Sequence, residues 1–378
     1  MPTANPVIPV LRPLLPSADS LLPYLRRIDE MRSYSNHGPL SVELEQRLAR
    51  ALALPPGGLI CASSGTAALI GAILATAGRG TTERPLAIIP AFTFAATASA
   101  AEQCGYLPYL ADVDRATWML DADRLIAHPE RHRVGLVLPV APFGRPVRQE
   151  PWRRFHETTG IPVVIDGAAS FVALAERPEE FLGMIPTAIS FHATKAFATG
   201  EGGAVATTDV PLAERSAQAL NFGISGIRDC RIASTNGKMS EYHAAVGLAE
   251  LDGWPKKLAG WLDVADGYRE QMARAGLLDR LHVARDIGPN YVLYECRGAT
   301  EAEQVQNRFE ADGVDFRLWY GAGLHRQTYY RDVARDDLTV VDDLSCRLCG
   351  LPAAPDLPRF AIERVVLSLV CHSRNDRS

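Results

Sequence analysis

Three stretches of this 378-residue chain combine residue types that do chemistry with a spacing that puts them at strand ends. The first is Ser190-Phe-His192-Ala-Thr194-Lys195-Ala-Phe-Ala-Thr-Gly200-Glu201-Gly202-Gly203, where a lysine follows an apolar run, is flanked by hydroxyls and leads into glycines. A primary amine in that setting can form a Schiff base with a carbonyl compound. A guanidinium cannot, and lysine is scarce here: of 39 basic residues only Lys195, Lys238, Lys256 and Lys257 are lysines. Where arginine has displaced lysine almost everywhere, a lysine in a glycine-rich loop points to chemistry of the amine. The adjacent Lys256 and Lys257 read instead as solvated helix surface.

The second stretch is Asp166, which closes the apolar run Ile161-Pro-Val-Val-Ile165 and precedes Gly167-Ala168-Ala169. A carboxylate fixed there can hold a proton on a ring nitrogen, the partner that pyridoxal phosphate needs to act as an electron sink. It can equally cap the next helix. The third, Cys61-Ala-Ser-Ser64-Gly65-Thr66-Ala67, runs from an apolar strand into a helix. Unpaired N–H groups at a helix start attract anions and a glycine lets a phosphate approach, although an ordinary Ser/Thr cap has the same pattern.

The elements that must position these residues read as α/β. Strands are expected at Leu59–Ala62, Leu86–Pro90, Tyr106–Leu110, Gly135–Val140, Pro162–Asp166, Ala188–His192 and Gly203–Thr207, alternating with helices at Thr66–Ala77, Thr97–Cys104, Ala122–His128 and Glu150–Thr159. An open sheet of such units carries its ligands at the carboxyl ends of the strands, where all three stretches fall. Beyond Asn236 a long helical pattern, Ser240–Ala275, is expected to break near Trp254 and Pro255. Strands at Asn290–Cys296 and Val314–Leu318 and helices at Glu301–Ala311, Val341–Leu348 and Ile362–Leu369 follow, giving a smaller α+β unit. The partition is residues 1–40 as an arm and substrate loop, 41–250 as a large domain and 251–378 as a small C-terminal domain.

Composition excludes several classes. A net charge of −5 gives no global basic field, so nucleic acid is not expected as a partner. With 47% hydrophobic residues the chain can bury a core, and no run approaches the roughly 20 apolar residues of a membrane span. The seven cysteines are scattered and odd in number, against a disulfide framework. Together with the absence of a signal-peptide pattern they point to the cytoplasm. Cys346 and Cys349 form a CxxC without a second pair, so no metal site is expected, and they read as neighbours on a helix.

The motifs SSGTAAL, PAFTFAAT, VVIDGAASF, SFHATKAFATGEGG and NGKMSEYHAAVGL, in this order, resemble the DegT/DnrJ/EryC1/StrS sugar aminotransferases from about Arg12 to the C-terminus. FHATK with NFG and NGKM is most similar to the VioA-type branch, which aminates a dTDP-4-keto-6-deoxyhexose. The resemblance implies a pyridoxal 5'-phosphate enzyme of fold type I, with a mainly parallel sheet in the large domain. It implies Lys195 as the Schiff-base amine and proton shuttle, Asp166 on the pyridine nitrogen and Phe94 stacked on the ring. Gly65, Thr66, Ala67 and Ser190 would hold the phosphate, and Asn236 would reach the phosphate of a neighbouring subunit in a homodimer with shared sites. Lys238 would meet an anionic substrate group. Tyr34, Asn36 and His325 match positions near the sugar, and Arg317 is a further candidate for phosphate or carboxylate; turn formation and surface loops are their plainer readings.

The implied reaction moves an amino group from glutamate to a nucleotide-linked ketosugar, in the making of surface polysaccharide, lipopolysaccharide or glycosides. UDP- or GDP-sugars are alternative acceptors. Lys195 speaks against the related sugar 3-dehydratases, which carry histidine there. One departure stands out: the family usually has glutamine or histidine where this chain has Ala169, and that residue hydrogen-bonds the cofactor's phenolic oxygen. This alanine is what supports the other alternative, a non-catalytic or regulatory protein of the same fold.

Overall fold

Apolar runs of four or five residues with turn-forming neighbours make most of the central sheet. The computed structural model describes residues 6–375, with side chains described through Val370. The seven strands are β1 (Leu59–Ala62), β2 (Leu86–Pro90), β3 (Leu107–Ala111), β4 (Val134–Val137), β5 (Ile165–Asp166), β6 (Thr187–Ser190) and β7 (Gly203–Ala206). Their hydrogen-bonded orders are β3-β2-β4 and β5-β6-β7-β1, and parallel bridges Val137↔Val163 and Val140↔Asp166 join the two across β4 and β5. Only β7 runs against its neighbours β1 and β6. The sheet is therefore mainly parallel, as expected.

Strands β1, β2, β4, β6 and β7 are buried along their whole length, because helices cover both faces. Alternate residues divide between two cores. Ala62, Ala188 and Val205 pack with the helices Gly65–Thr76, Ala95–Gln103 and Val210–Leu220. Cys61, Ile189 and Ala204 pack with Pro39–Ala51 and the start of Glu241–Ala275. Gly65–Thr76 is buried continuously from Ala68 to Leu74, the pattern of a helix with no solvent face.

The C-terminal part has a three-stranded antiparallel sheet, Leu281–His282, Leu293–Glu295 and Leu348–Gly350. Its core is shared with the helices Glu241–Ala275, Ala299–Asp312 and Arg359–Asn375.

Several expectations are corrected here. The helix Glu241–Ala275 runs for 35 residues without a break, straight across the partition expected at residues 250 and 251. Trp254 explains this: it packs edge-on against Phe171 and Phe197 at centroid distances of 5.5 and 5.6 Å, while Pro255 faces solvent. Val314–Leu318 is not a strand; its pairing is limited to the isolated bridges Ile8↔Val314 and Arg317↔Gly350. The Val341–Leu348 helix is Thr339–Ser345, and Leu348 already belongs to the next strand. Cys346 therefore ends a helix and Cys349 lies in a strand, so they are not helical neighbours. Within residues 1–40, Ala18–Met31 is a helix capped by the Ser17 hydroxyl, more ordered than an arm. Lys257 is not solvated surface either, since its side chain is 9% exposed and pairs with Glu250, itself 4% exposed.

Candidate active site

Asp166 ends β5 and points its carboxylate into the protein, with the residue 5% exposed. Its Oδ2 accepts from Thr97 Oγ1 at 2.7 Å and its Oδ1 from the Ala168 backbone N–H at 3.1 Å. Thr97 Oγ1 in turn lies 2.8 Å from Thr93 Oγ1. Burial pushes the Asp166 carboxyl above its usual range, while Thr97, Ala168 N–H and the charge on Lys195 pull the other way. A carboxylate held this way favours a partner that brings a positively charged N–H.

Lys195 lies beyond β6 in a loop closed by backbone bonds from Ala193 N–H to Gly200 O and from Lys195 N–H to His192 O, both 2.8 Å. Gly200 takes φ +85°, which a side chain would resist. The Lys195 amine donates to Tyr291 Oη at 3.2 Å. The neighbouring Asn290 Nδ2 donates to Thr194 O at 3.1 Å. The end of the lysine loop is thus pinned from a segment far away in sequence.

The segment expected to cradle a phosphate lies where the Gly65–Thr76 helix begins. Ser64 is extended and its hydroxyl accepts from Ala67 N–H at 3.0 Å. Any Cβ on Gly65 would lie 2.7 Å from Ser190 Cβ, so the missing side chain lets the helix start press on the end of β6. Gly65, Thr66, Ala67 and Ser190 are therefore brought together. Phe94 stands one turn before Thr97, at the start of the Ala95–Gln103 helix, and is 66% exposed. Its aromatic surface is left uncovered.

Asn236 and Lys238 form a second group. The Lys238 amine donates to Asn236 Oδ1 at 2.8 Å and sits 4.4 Å from the Phe222 ring centroid. A bridge pairs Ala62 with Lys238, and Ser63 N–H donates to Gly237 O at 2.7 Å. This segment is thus tied to the end of β1. Burial pushes the Lys238 amine down and the nearby His37 imidazole down, with the Lys238 charge adding to the latter. Tyr34 stacks on Tyr242 at 6.3 Å, and Asn36 and His37 both adopt positive φ, 61° and 55°. The buried Glu241 carboxylate accepts from Leu40 and Ser41 N–H at 2.8 and 2.9 Å, which anchors this turn to the long helix.

Arg317 and His325 stand apart from that group. Arg317 exchanges backbone bonds with Gly350 and lies 5.5 Å from the Trp319 ring, which in turn packs on Tyr291 at 5.2 Å. His325 is buried and bonds Asp342 Oδ1 through Nε2 at 2.9 Å, a carboxylate it shares with Arg326.

Thr97, Asn290, Tyr291 and Tyr320 are site residues that sequence reasoning missed. Tyr320 is half-buried, accepts from Phe143 N–H at 3.2 Å and stacks on that ring at 4.6 Å. Burial, with Tyr291 and Asp166 nearby, drives its phenol well up. The Ala169 carbonyl packs close against two glycines: it would be 2.4 Å from a Cβ on Gly144 and 3.1 Å from one on Gly288. No local signal marks these residues, apart from the threonine spacing of Thr93 and Thr97. A buried carboxylate, an amine, a helix-start cradle and an open aromatic face together fit a flat, phosphorylated heteroaromatic aldehyde with a basic ring nitrogen.

Comparison with known proteins places the chain in a family. The model of the DegT/DnrJ/EryC1/StrS aminotransferase family matches residues 18–370. Protein Rv3402c of Mycobacterium tuberculosis (strain ATCC 25618 / H37Rv) is 32% identical, over 96% of this chain and 90% of the relative. The dTDP-4-amino-4,6-dideoxy-D-glucose transaminase of Shigella dysenteriae is 29% identical over 70% of each chain. A crystal structure of DesI in the presence of its TDP-sugar product has a TM-score of 0.85 and 29% identity, over 99% of this chain and 95% of that one.

Proposed function

The chain belongs to the DegT/DnrJ/EryC1/StrS aminotransferase family, and from that premise we propose that it transfers an amino group from glutamate to dTDP-4-keto-6-deoxyglucose, giving the 4-amino-4,6-dideoxy sugar. The cofactor is pyridoxal 5'-phosphate, which supplies an electron sink for the carbon that carries the nitrogen. The observation that carries this reading is the pairing of roles at the sheet edge: a buried carboxylate with only neutral donors on it, and Lys195 as the cation that acts on it.

Asp166 keeps a proton on the cofactor's ring nitrogen, and Thr97 holds the carboxylate in place. Lys195 takes the proton from the substrate carbon and returns it, as general base and then general acid. Thr66 with the backbone of Gly65 and Ala67, together with the Ser190 hydroxyl, holds the phosphate at the helix start. Phe94 covers one face of the ring. Asn236 serves the phosphate of a partner subunit in a homodimer, and Lys238 meets an anionic group of glutamate or of the nucleotide. Tyr34 and Asn36 border the sugar, with Arg317 and His325 further out. The part of the chain from residue 41 to the long helix forms the cofactor-binding domain and the part beyond that helix the smaller one. The enzyme works in the cytoplasm on precursors of surface polysaccharide or glycosides.

The similarity to a dTDP-sugar transaminase and to a TDP-sugar complex supports dTDP as the carrier, and the similarity to a GDP-perosamine synthase makes GDP its rival. The test is a panel of dTDP-, UDP- and GDP-4-ketosugars incubated with the cofactor-loaded protein and 15N-glutamate. The expected product is a dTDP-sugar heavier by the labelled amine. Turnover of a GDP- or UDP-sugar alone would replace the carrier assignment, and label in none would refute the activity.

A further inference from the structure

We propose that Tyr291 is a catalytic residue of this site, its hydroxyl supplying the hydrogen bond beside the reacting amine and the cofactor's phenolic oxygen that Ala169 cannot make. The inference rests on the proposed cofactor chemistry and adds a residue to it. The Lys195 amine and Tyr291 Oη are 3.2 Å apart, and Tyr291 is 8% exposed, so a buried phenol faces the reacting nitrogen directly. A phenol both donates and accepts. It can accept from the amine while that carries a proton, and donate to an oxyanion beside it once the amine is committed to the cofactor.

The surroundings fix the phenol rather than leave it mobile. Phe143 and Trp319 pack edge-on against the Tyr291 ring at 5.6 and 5.2 Å. Asn290, the preceding residue, is buried and ties Thr194, the residue before Lys195, through its 3.1 Å bond. The two partners of the short contact are therefore held by adjacent links between the same two segments. Ala169 offers only a methyl group, and its carbonyl lies against Gly144 and Gly288, whose own carbonyl accepts from the Tyr291 backbone N–H at 3.0 Å. A hydrogen-bond donor missing at position 169 and a buried hydroxyl at the amine are thus features of one pocket wall.

The experiment follows the visible absorption band of the protein loaded with pyridoxal 5'-phosphate as a function of pH, with cofactor affinity measured by equilibrium dialysis. A donor to the phenolic oxygen stabilises the deprotonated form, so Tyr291→Phe is expected to raise the titration midpoint by about one pH unit, a tenfold change in proton affinity. Adding Ala169→Gln to that variant is expected to bring the midpoint back by at least half. Ala169→Gln alone is expected to move it by less than about 0.3 unit, because the role is already filled. A midpoint and affinity unchanged in Tyr291→Phe, or a full-unit drop in Ala169→Gln alone, would overturn the assignment. The second variant keeps the test decisive even if the first folds poorly. A wild-type protein with no Lys195-dependent band would instead overturn the reading of function beneath it.

Discussion

The sheet edge and the C-terminal unit treat buried charge in opposite ways. At the sheet edge, burial outweighs the partners present: the Asp166 carboxyl is pushed up, the Lys238 amine is pushed down, and Glu45, whose Oε1 accepts from Cys61 N–H at 2.8 Å, is raised to about 7. In the C-terminal unit the partners outweigh burial. Glu301 accepts from Arg280, Arg297 and the Arg297 backbone N–H and is held down at about 2. Glu295, bonded to His282 and Arg347, is also lowered. A region whose charges are satisfied within the chain is built for stability. A region that keeps charges short of partners is built to receive a charged ligand, and the two responses to mutation should separate accordingly.

The sharpest separation is expected at Asp166. Replacing it with asparagine should lower kcat/KM by about a thousandfold, about 4 kcal/mol of transition-state stabilisation. The cofactor-free protein should melt no lower at pH 7.5, because a buried charge has been removed. A large loss of stability without cofactor would break the contrast. Glu301→Ala should do the reverse. It strands Arg280 and should cost about 3 kcal/mol in denaturant unfolding, while kcat per folded molecule stays unchanged.

The third test is pH. Glu45 has a folded-state value above its ordinary one, so its contribution to stability is complete below about 4.5 and fades as pH rises through about 7, a span on the order of 3 kcal/mol. Glu301 has a lowered value, so its contribution is present above about 4.5 and fades as pH falls toward about 2. Glu45→Gln should therefore flatten the neutral side of the stability profile and leave the acid side alone. If the acid limb vanished in Glu45→Gln, the two regions would not be independent. The smallest effect is expected from Thr97→Val, which removes one hydrogen bond from Asp166 and should reduce kcat by about tenfold.

The seven strands of the central sheet were legible because each is a short apolar run whose boundaries are set by local chemistry, and the observed limits differ from the expected ones by few residues. Asp166, Lys195 and the Ser64–Ala67 junction were legible for the same reason, since each sits at the end of such a run. What could not be read depends on contacts across the chain. Tyr291 lies 96 positions from Lys195 and Thr97 lies 69 from Asp166, and no local pattern ties either to its partner. Pro255 misled because its intrinsic preference is to end a helix, whereas the packing of Trp254 on Phe171 and Phe197 holds the helix together. Lys257 misled in the same way: its pairing with the buried Glu250 is a tertiary fact, and Glu250 also accepts from Ala198 N–H at 3.3 Å, just past Lys195.

The central claim, that Lys195 and Asp166 serve a two-stage amino transfer, is tested most directly by watching the bound cofactor's visible band through each half of the reaction. In the wild type, glutamate alone should abolish the band and release 2-oxoglutarate, and dTDP-4-keto-6-deoxyglucose added afterwards should restore it; Lys195→Ala should slow both changes by at least about a thousandfold. A wild-type band that ignores glutamate, or a Lys195→Ala variant that completes both halves at the normal rate, would contradict it.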